Sequence, residues 1–433
     1  MALFDAVRVA LTRASKPTLV AQALRLELLR LRFDRSQRWE SQRLLMEAAL
    51  QLYLRAYQQR DPVVFTSLFT PPELIHALGL VPFGLDTSGA AAPALGLTDQ
   101  VLGAADRAWA PIDSCSILRA SLGAAHMGLL PQPVAAVCTS SLCDSTTKVF
   151  EAVADLMGGV PFRVLDVPQT RSAEGVEYLA WQLEDMVHEL ERLTGRQLQQ
   201  ARLTEAIDLS NRARDHLLAL DRLRVAHPGV LDTEHAIGFL YPLGLLLGSR
   251  DGVSVFGSFR AEVAAAIPRH SDDGGPHILW MHLLPHYSND LLETVEGAGA
   301  TVVYEEIIRP YWDELDPTHP FESLARKCID HPWNGPLERR IESVLGLVRD
   351  YRIDGAIHFS HHGCRQSYAA LRAVRDALVE KGIPLLELEG DLVDARDRAD
   401  GQHRTRLEAF VETLGTHDGR AAPKRYLGSE TQG

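Results

Sequence analysis

The sequence has no basic tract, no long apolar run and few cysteines, and each absence closes a class of function. Lys and Arg number 44 against 57 Asp and Glu, a formal net charge of -13. A nucleic-acid binder carries a basic patch or stripe, often with interleaved aromatics. None occurs, so nucleic acid is not an expected partner. A membrane-spanning helix needs about 20 consecutive apolar residues. The longest candidate, Ala236 to Gly248, is too short and contains Pro242, so no membrane segment is expected. The amino terminus lacks a clean charged, apolar, small-residue leader, which makes the cytoplasm the expected compartment. Five cysteines, Cys115, Cys138, Cys143, Cys328 and Cys364, lie far apart. Their odd number and the missing leader argue against a disulfide framework. The chain has no C-x2-C pair of the structural-zinc kind. It also lacks a G-x-x-x-x-G-K-[ST] loop and a G-x-G-x-x-G after a strand, so ATP is not handled by this chain.

What is present fits an ordinary globular protein: 433 residues, 46% hydrophobic and 23% charged, enough for about three domains or two plus a helical appendage. Residues 1–62 read as one or two amphipathic helices, because Leu24, Leu28 and Leu31, then Leu44, Leu45, Ala48 and Leu52, recur at helical spacing. Residues 63–173 alternate strand and helix: short β-rich runs at Val63–Thr66 and Val81–Phe83, then Pro133–Val137 and Phe162–Asp166. Pro71 and Pro72 open a helix that Gly79 ends. Ser114 and Ser145 are candidate caps for helices running to His126 and Met157. Residues 174–274 are mainly a helical connector, with Val176, Leu179, Leu183, Val187 and Leu190 in helical register and a break at Gly195. Ser271–Gly275 reads as a linker. Residues 275–414 alternate again, with strands at His277–Leu284, Thr301–Glu305, Gly355–Ser360 and Pro384–Glu389, and helices from Asn289, Pro336, Ser367 and Gln402. The tail, 415–433, is Gly-rich and polar and is expected to be mobile. Alternating strands and helices predict parallel sheets covered by helices on both faces.

Open α/β sheets bind ligands beyond the carboxyl ends of their strands, and two cysteines fall there. Cys143 follows the strand ending near Val137, and Cys364 follows the strand ending near Ser360, after His361, His362 and Gly363. Cys115 lies at a predicted helix start, a place that favours thiolate. Gly363 would allow close backbone approach to a bound group. On residue types and spacing alone three readings stand: an iron–sulfur cluster, a zinc ion with His361 or His362 as fourth donor, or inert buried thiols. Cys138 reads as a buried strand residue and Cys328 as having no metal role.

At these residues the sequence resembles the 2-hydroxyacyl-CoA dehydratase family, which includes benzoyl-CoA reductase subunits. The likeness to the 2-hydroxyglutaryl-CoA dehydratase D-component runs from about Val63 to Glu412. It is carried by a P-x-E-L-x-x-A-x-G-x-x-P stretch from Pro71 to Pro82, by Cys115 to Arg119, by Ser141 to Asp144, by Asp166 to Pro168, by Asp354 and Gly355 with Cys364, and by Gln402 to Phe410. The resemblance implies two Rossmann-like (flavodoxin-like) domains, with Cys115, Cys143 and Cys364 holding a 4Fe-4S cluster that keeps one iron open. It implies a one-electron reaction on an acyl-CoA substrate: a separate ATP-hydrolysing iron–sulfur activator supplies the electron, and a ketyl radical at the thioester carbonyl expels the 2-hydroxyl. Reduction of an aromatic acyl-CoA is the alternative chemistry. A homologous second subunit or a homodimer is implied as partner. Two non-catalytic readings also stand, a relay or scaffold subunit and a zinc-bearing structural protein.

Single residues then take provisional roles. Glu73 resembles a family carboxylate that holds a water or substrate hydroxyl; otherwise it is a favourable first-turn acid. Ser114, Ser140 and Ser141 are candidate donors to cluster sulfurs, or caps and loop polars. Arg119 is a candidate partner for cluster charge or CoA phosphate, or half of a surface ion pair. Asp144 reads as a cap of the helix after Cys143. Arg404 and Arg406 are candidate CoA-phosphate contacts, or a solvated helix face.

Overall fold

The computed structural model describes residues 17–33, 39–108, 110–270 and 274–417. The first part of the helical amino-terminal region, residues 271–273 of the expected linker and the tail from residue 418 lie outside the described residues.

Two four-stranded parallel sheets form the frame. The first orders its strands β2-β1-β3-β4, with β1 Val63–Thr66, β2 Val81–Gly84, β3 Ala135–Thr139 and β4 Phe162–Leu165. The second orders them β6-β5-β7-β8, with β5 His277–Met281, β6 Thr301–Glu305, β7 Gly355–His361 and β8 Leu385–Gly390. The strands of β1 to β3 are buried along their whole length, which is why they read as continuous apolar runs rather than alternating ones. Each sheet therefore has the doubly wound, Rossmann-like order in which the chain leaves the first strand on one side and returns on the other. That reversal opens a crevice at the carboxyl edge.

Helices α1 (Pro17–Phe33) and α2 (Glu40–Gln58) pack on each other. α2 buries Ser41, Leu45, Ala48, Leu52 and Ala56, one face at helical spacing, against the first sheet. Short helices α3 (Pro72–Ala77) and α4 (Leu85–Ala90) follow β1 and β2, then α5 (Thr98–Arg107) and α6 (Ser116–His126), and α7 (Asp144–Leu156) follows β3. The connector is α8 (Ala173–Thr194) and α9 (Gln200–Ala226), separated after Gly195, whose φ of 68° closes α8 in the left-handed conformation that glycine favours. Residues 233–266 fold as α10 (Thr233–Gly238), α11 (Leu240–Leu246) and α12 (Arg250–Ala266). The second half adds α13 (Leu291–Gly297), α14 (Pro320–Ile329), α15 (Leu337–Tyr351), α16 (Arg365–Ala369), α17 (Leu371–Glu380) and α18 (Asp400–His417).

The halves are joined by shared core. One apolar cluster contains Val101 and Leu102 of α5, Ile117 and Leu118 of α6, and Ile278, Trp280, Ile357 and Phe359 of the second sheet. α6 thus belongs to the first half in sequence and shares an apolar cluster with the second sheet. Several element ends differ from the sequence reading. β3 runs two residues further, to Thr139, so Cys138 is a strand residue with no exposure. β5 stops at Met281 because His282 turns into the left-handed region, φ 69°. Ser114 does not cap α6, nor Ser145 or Asp144 α7: Cys115 and Cys143 stand at those two N-cap positions.

Candidate functional site

Cys115, Cys143 and Cys364 are the N-cap residues of α6, α7 and α16. Each sulfur sits where backbone N–H groups of the first turn point outward. Those of Ile117 and Leu118 face Cys115, those of Ser145 and Thr146 face Cys143, and those of Gln366 and Ser367 face Cys364. The loop before Cys143 is bent by Leu142, φ 70°, and closed by a hydrogen bond from the Cys143 N–H to the Ser141 carbonyl, 2.9 Å.

Two contacts bring the three caps together. The first is backbone against backbone: a Cβ built on Gly363 would lie 2.6 Å from the Ser114 carbonyl and from the Cys115 nitrogen. Only glycine permits that approach, so what Gly363 admits here is another loop of the same chain, from the other half. The second is an ion pair: Arg365, after Cys364, reaches Asp144, after Cys143, at 2.7 Å. Both side chains are largely exposed, which limits this pair to at most about 1 kcal/mol, but it fixes the two helix starts side by side.

The thiols feel one another. Burial first, then the neighbouring Cys143 and Cys364, pushes Cys115 well above the usual thiol range. Burial and Cys143 push Cys364 up to about 11, and burial raises Cys143. The helix-start effect expected to favour the Cys115 thiolate is outweighed, because a desolvated anion beside two others is costly. Cys138 and Cys328 are each raised to about 12, chiefly by burial; Cys138, in β3, also feels Asp86 and Cys143, and Cys328 lies in α14.

This donor set fits an iron–sulfur cluster. Thiolate is the ligand of such clusters, and metal binding removes the proton that burial otherwise retains. Among the described residues no group of three His, Cys, Asp or Glu side chains is placed to hold a metal ion. Among the described residues His361 and His362 are not grouped with the cysteines so as to hold a zinc ion. His361 is buried at the end of β7 with Asp391 at 3.8 Å, and the His362 backbone N–H donates to the Gly390 carbonyl at 3.1 Å.

The histidine at the site is His282, unmarked in the sequence reading, where it lay inside an overlong β5. Its Nε2 is 3.7 Å from the Cys364 sulfur. Burial, then His358, His361 and Arg340, hold it well below the usual histidine range. Only its place at a strand end could have singled it out. Arg340 and Trp333 were also missed. The Arg340 guanidinium forks onto Glu306 at 2.7 and 3.0 Å, and the Trp333 indole N–H donates to the same carboxylate at 2.9 Å.

The remaining candidates separate. Glu73 is fully buried, and its Oε1 accepts from Lys327 Nζ at 2.6 Å and from Ser210 at 2.7 Å. Burial alone would raise its pKa; Lys327 and Ser210 reverse that and hold it below the usual carboxylate value. Its Oε2 has no hydrogen-bond partner. Lys327 also lines a cleft with Thr70, Pro72, Trp312, Cys328 and His331, with room for roughly 50 Å³ of water-sized occupants. Ser114 donates to the Pro111 carbonyl at 2.7 Å, Ser140 to Asp166 at 3.1 Å and Ser141 to Thr139 at 3.2 Å. Arg119 is not at the surface: it is buried in α6, paired with Asp106 and donating to the Ile112 carbonyl. Arg404 pairs with Asp290, and Arg406 donates to the Glu387 carbonyl at 2.6 Å. No helix among the described residues is long and apolar enough to cross a membrane.

Comparison with known proteins gives a consistent result. A model of the family described as 2-hydroxyglutaryl-CoA dehydratase, D-component, matches residues 67–414, a span holding all three capping cysteines. The chain is 22% identical over 355 residues to the (R)-phenyllactyl-CoA dehydratase beta subunit of Clostridium sporogenes, covering 80% of this chain and 90% of that one. It is 20% identical over 379 residues to the alpha subunit of the same enzyme, covering 83% and 91%. It is 21% identical over 385 residues to lactoyl-CoA dehydratase subunit alpha of Anaerotignum propionicum, covering 81% and 90%. Alpha and beta subunits of such enzymes are therefore alike enough to match one chain, and this chain belongs to the 2-hydroxyglutaryl-CoA dehydratase D-component family.

Proposed function

We propose that this chain is the iron–sulfur subunit of a 2-hydroxyacyl-CoA dehydratase, working with a related second subunit or a second copy and with a separate ATP-hydrolysing activator. The observation that carries the reading is the meeting of three N-cap cysteines from both halves of the chain. Cys115, Cys143 and Cys364 would hold the cluster. When bound, it supplies one electron at low potential to a thioester carbonyl, chemistry that acid–base groups alone do not provide.

The protein's own groups have separable tasks. The first-turn N–H groups of α6 and α7 orient the sulfurs and offset their negative charge. The shared apolar core around α6 keeps water from the Cys115 side. Glu73, held by Lys327 and Ser210 through one oxygen, keeps the other free to accept a hydrogen bond from the substrate hydroxyl or a water. For Ser114 the proposal is positional: its bond to Pro111 sets the turn that presents Cys115.

The reading is tested by anaerobic purification with iron and acid-labile sulfide assay and low-temperature EPR. About four irons per chain are expected, following the 4Fe-4S assignment. Stoichiometric zinc without sulfide overturns it. Incubation together with its partner subunit, a 2-hydroxyacyl-CoA, ATP and an activating protein tests catalysis: dehydration that is lost in Glu73→Gln with the cluster signal intact is expected, and dehydration unchanged in that variant favours a relay role for this chain.

A further inference from the structure

The geometry points to His282 as a hydrogen-bond donor to the Cys364 sulfur, a positioning residue that sets the reduction potential of the cluster; this rests on the iron–sulfur reading above. His282 is the residue immediately after β5, and its backbone has φ 69°. A non-glycine residue is uncommon there, and one persists where its surroundings over-determine it. Those surroundings are specific. The imidazole lies parallel to the Trp333 ring, centroids 5.7 Å apart and planes 7° apart, with His358 at 5.8 Å behind it. Trp333 is clamped in turn, its N–H on Glu306 and the Arg340 guanidinium over its face at 4.6 Å. The ring is 2% exposed. A chain of fixed contacts thus runs from the buried Glu306–Arg340 pair through Trp333 to His282, and ends on Cys364.

The nitrogen facing Cys364 is Nε2, 3.7 Å from the sulfur, within the range of a hydrogen bond to sulfur. Nδ1 makes no hydrogen bond of good geometry. A free thiol at Cys364 donates to or accepts from the imidazole. A metal-bound thiolate has no proton and only accepts, so this contact survives cluster binding with the imidazole hydrogen on Nε2. Hydrogen bonds to ligating sulfurs are among the levers that set cluster potentials. A donor on Cys364 draws off negative charge and makes reduction easier.

The test uses the full chain, reconstituted anaerobically, as wild type, His282→Phe and His282→Gln, with Cys328→Ala as control. Iron and sulfide are measured first, then the midpoint potential by redox-poised EPR. His282→Phe is expected to hold the cluster while shifting the one-electron reduction equilibrium about tenfold toward the oxidised form, which is 59 mV more negative. It should also lose one exchangeable-proton coupling on transfer to deuterated buffer. His282→Gln keeps an amide N–H at the same reach and should recover part of the shift, and Cys328→Ala should match wild type. Wild-type chain labelled with 15N-histidine needs no variant: a weak nitrogen coupling is expected in pulsed EPR. A strong coupling, indicating direct ligation, or none at all overturns the inference, as does an unchanged potential and proton coupling in His282→Phe. Absence of iron and sulfide from the wild type sinks the cluster reading and this inference together; the preceding outcomes sink this inference alone.

Discussion

Cys143 and Cys364 occupy the same place in the two sheets: each caps the helix that leaves the strand third in chain order, β3 in one half and β7 in the other. The helix that leads into that strand differs. In the first half it is α6, capped by Cys115; in the second it is α15, preceded by Pro336. The residue after the first strand also differs. Ser67 follows β1 and bonds Thr70 at 2.8 Å, whereas the strained His282 follows β5 beside Cys364. One topology therefore carries two chemistries, two N-cap thiols on the first half and one N-cap thiol with buried His282 and Arg340 and half-buried Trp333 on the second. Cys115 and Cys143 come from the first half and Cys364 from the second, so the three are brought together only where the halves meet.

That division orders the experiments. Removing a thiol from either half should have the largest effect. Cys143→Ala and Cys364→Ala are each expected to reduce bound iron and sulfide to background, while Cys328→Ala retains both. Equal retention in all three would show that the halves do not share the site. Next is the buried pair that joins Glu73, after β1, to Lys327 of α14. Lys327→Ala leaves a buried carboxylate without its cation and should cost about 3–5 kcal/mol in denaturant unfolding. A loss below about 1 kcal/mol would show that the pair is not buried as described.

Gly363→Ala drives a methyl group into the Ser114–Cys115 backbone and should cost about 1–3 kcal/mol, with weaker cluster retention because the two loops are pushed apart. Unchanged stability and iron content would mean that the loops do not touch. Acid should act on the second half through its buried histidines. Burial holds His286 at about 4, His331 at about 3 and His358 at about 4, against the usual 6.5. The unfolded chain thus binds protons first as pH falls. Stability from keeping these rings neutral is full above about pH 6.5 and is lost on acidification toward 4, by about 1.4 kcal/mol per pH unit for each histidine that titrates. Thermal unfolding between pH 7 and pH 5 measures it, and a flat profile would count against burial of these rings. The smallest effect belongs to the exposed Arg365–Asp144 bridge. Arg365→Ala should change stability by no more than about 1 kcal/mol, and less in high salt.

The α/β class and most strands were legible because parallel strands buried on both faces are runs of Val, Ile, Leu and Phe between glycines and prolines, as at Thr301–Glu305, where expectation and structure coincide. Helix starts were less legible. Serine and aspartate are the usual caps, and nothing local says that Cys115 and Cys143 take that place instead of Ser114 or Asp144. Within the expected helical connector, residues 227–274 showed no single helical period, because two short helices, broken at Phe239 and Leu247, precede the longer α12.

By itself, the sequence determined that the five cysteines form no C-x2-C pair and that two of them follow strands, and its family motifs singled out Cys115, Cys143 and Cys364. Tertiary structure decided that these three meet. Convergence depends on the apolar cluster that α6 shares with the second sheet and on Gly363 touching the Cys115 loop, relations between residues hundreds of positions apart that no periodicity records. It likewise brought His282 to Cys364, because a left-handed turn at the end of β5 is set by the Trp333 and Arg340 packing around it rather than by the residues beside it in the chain.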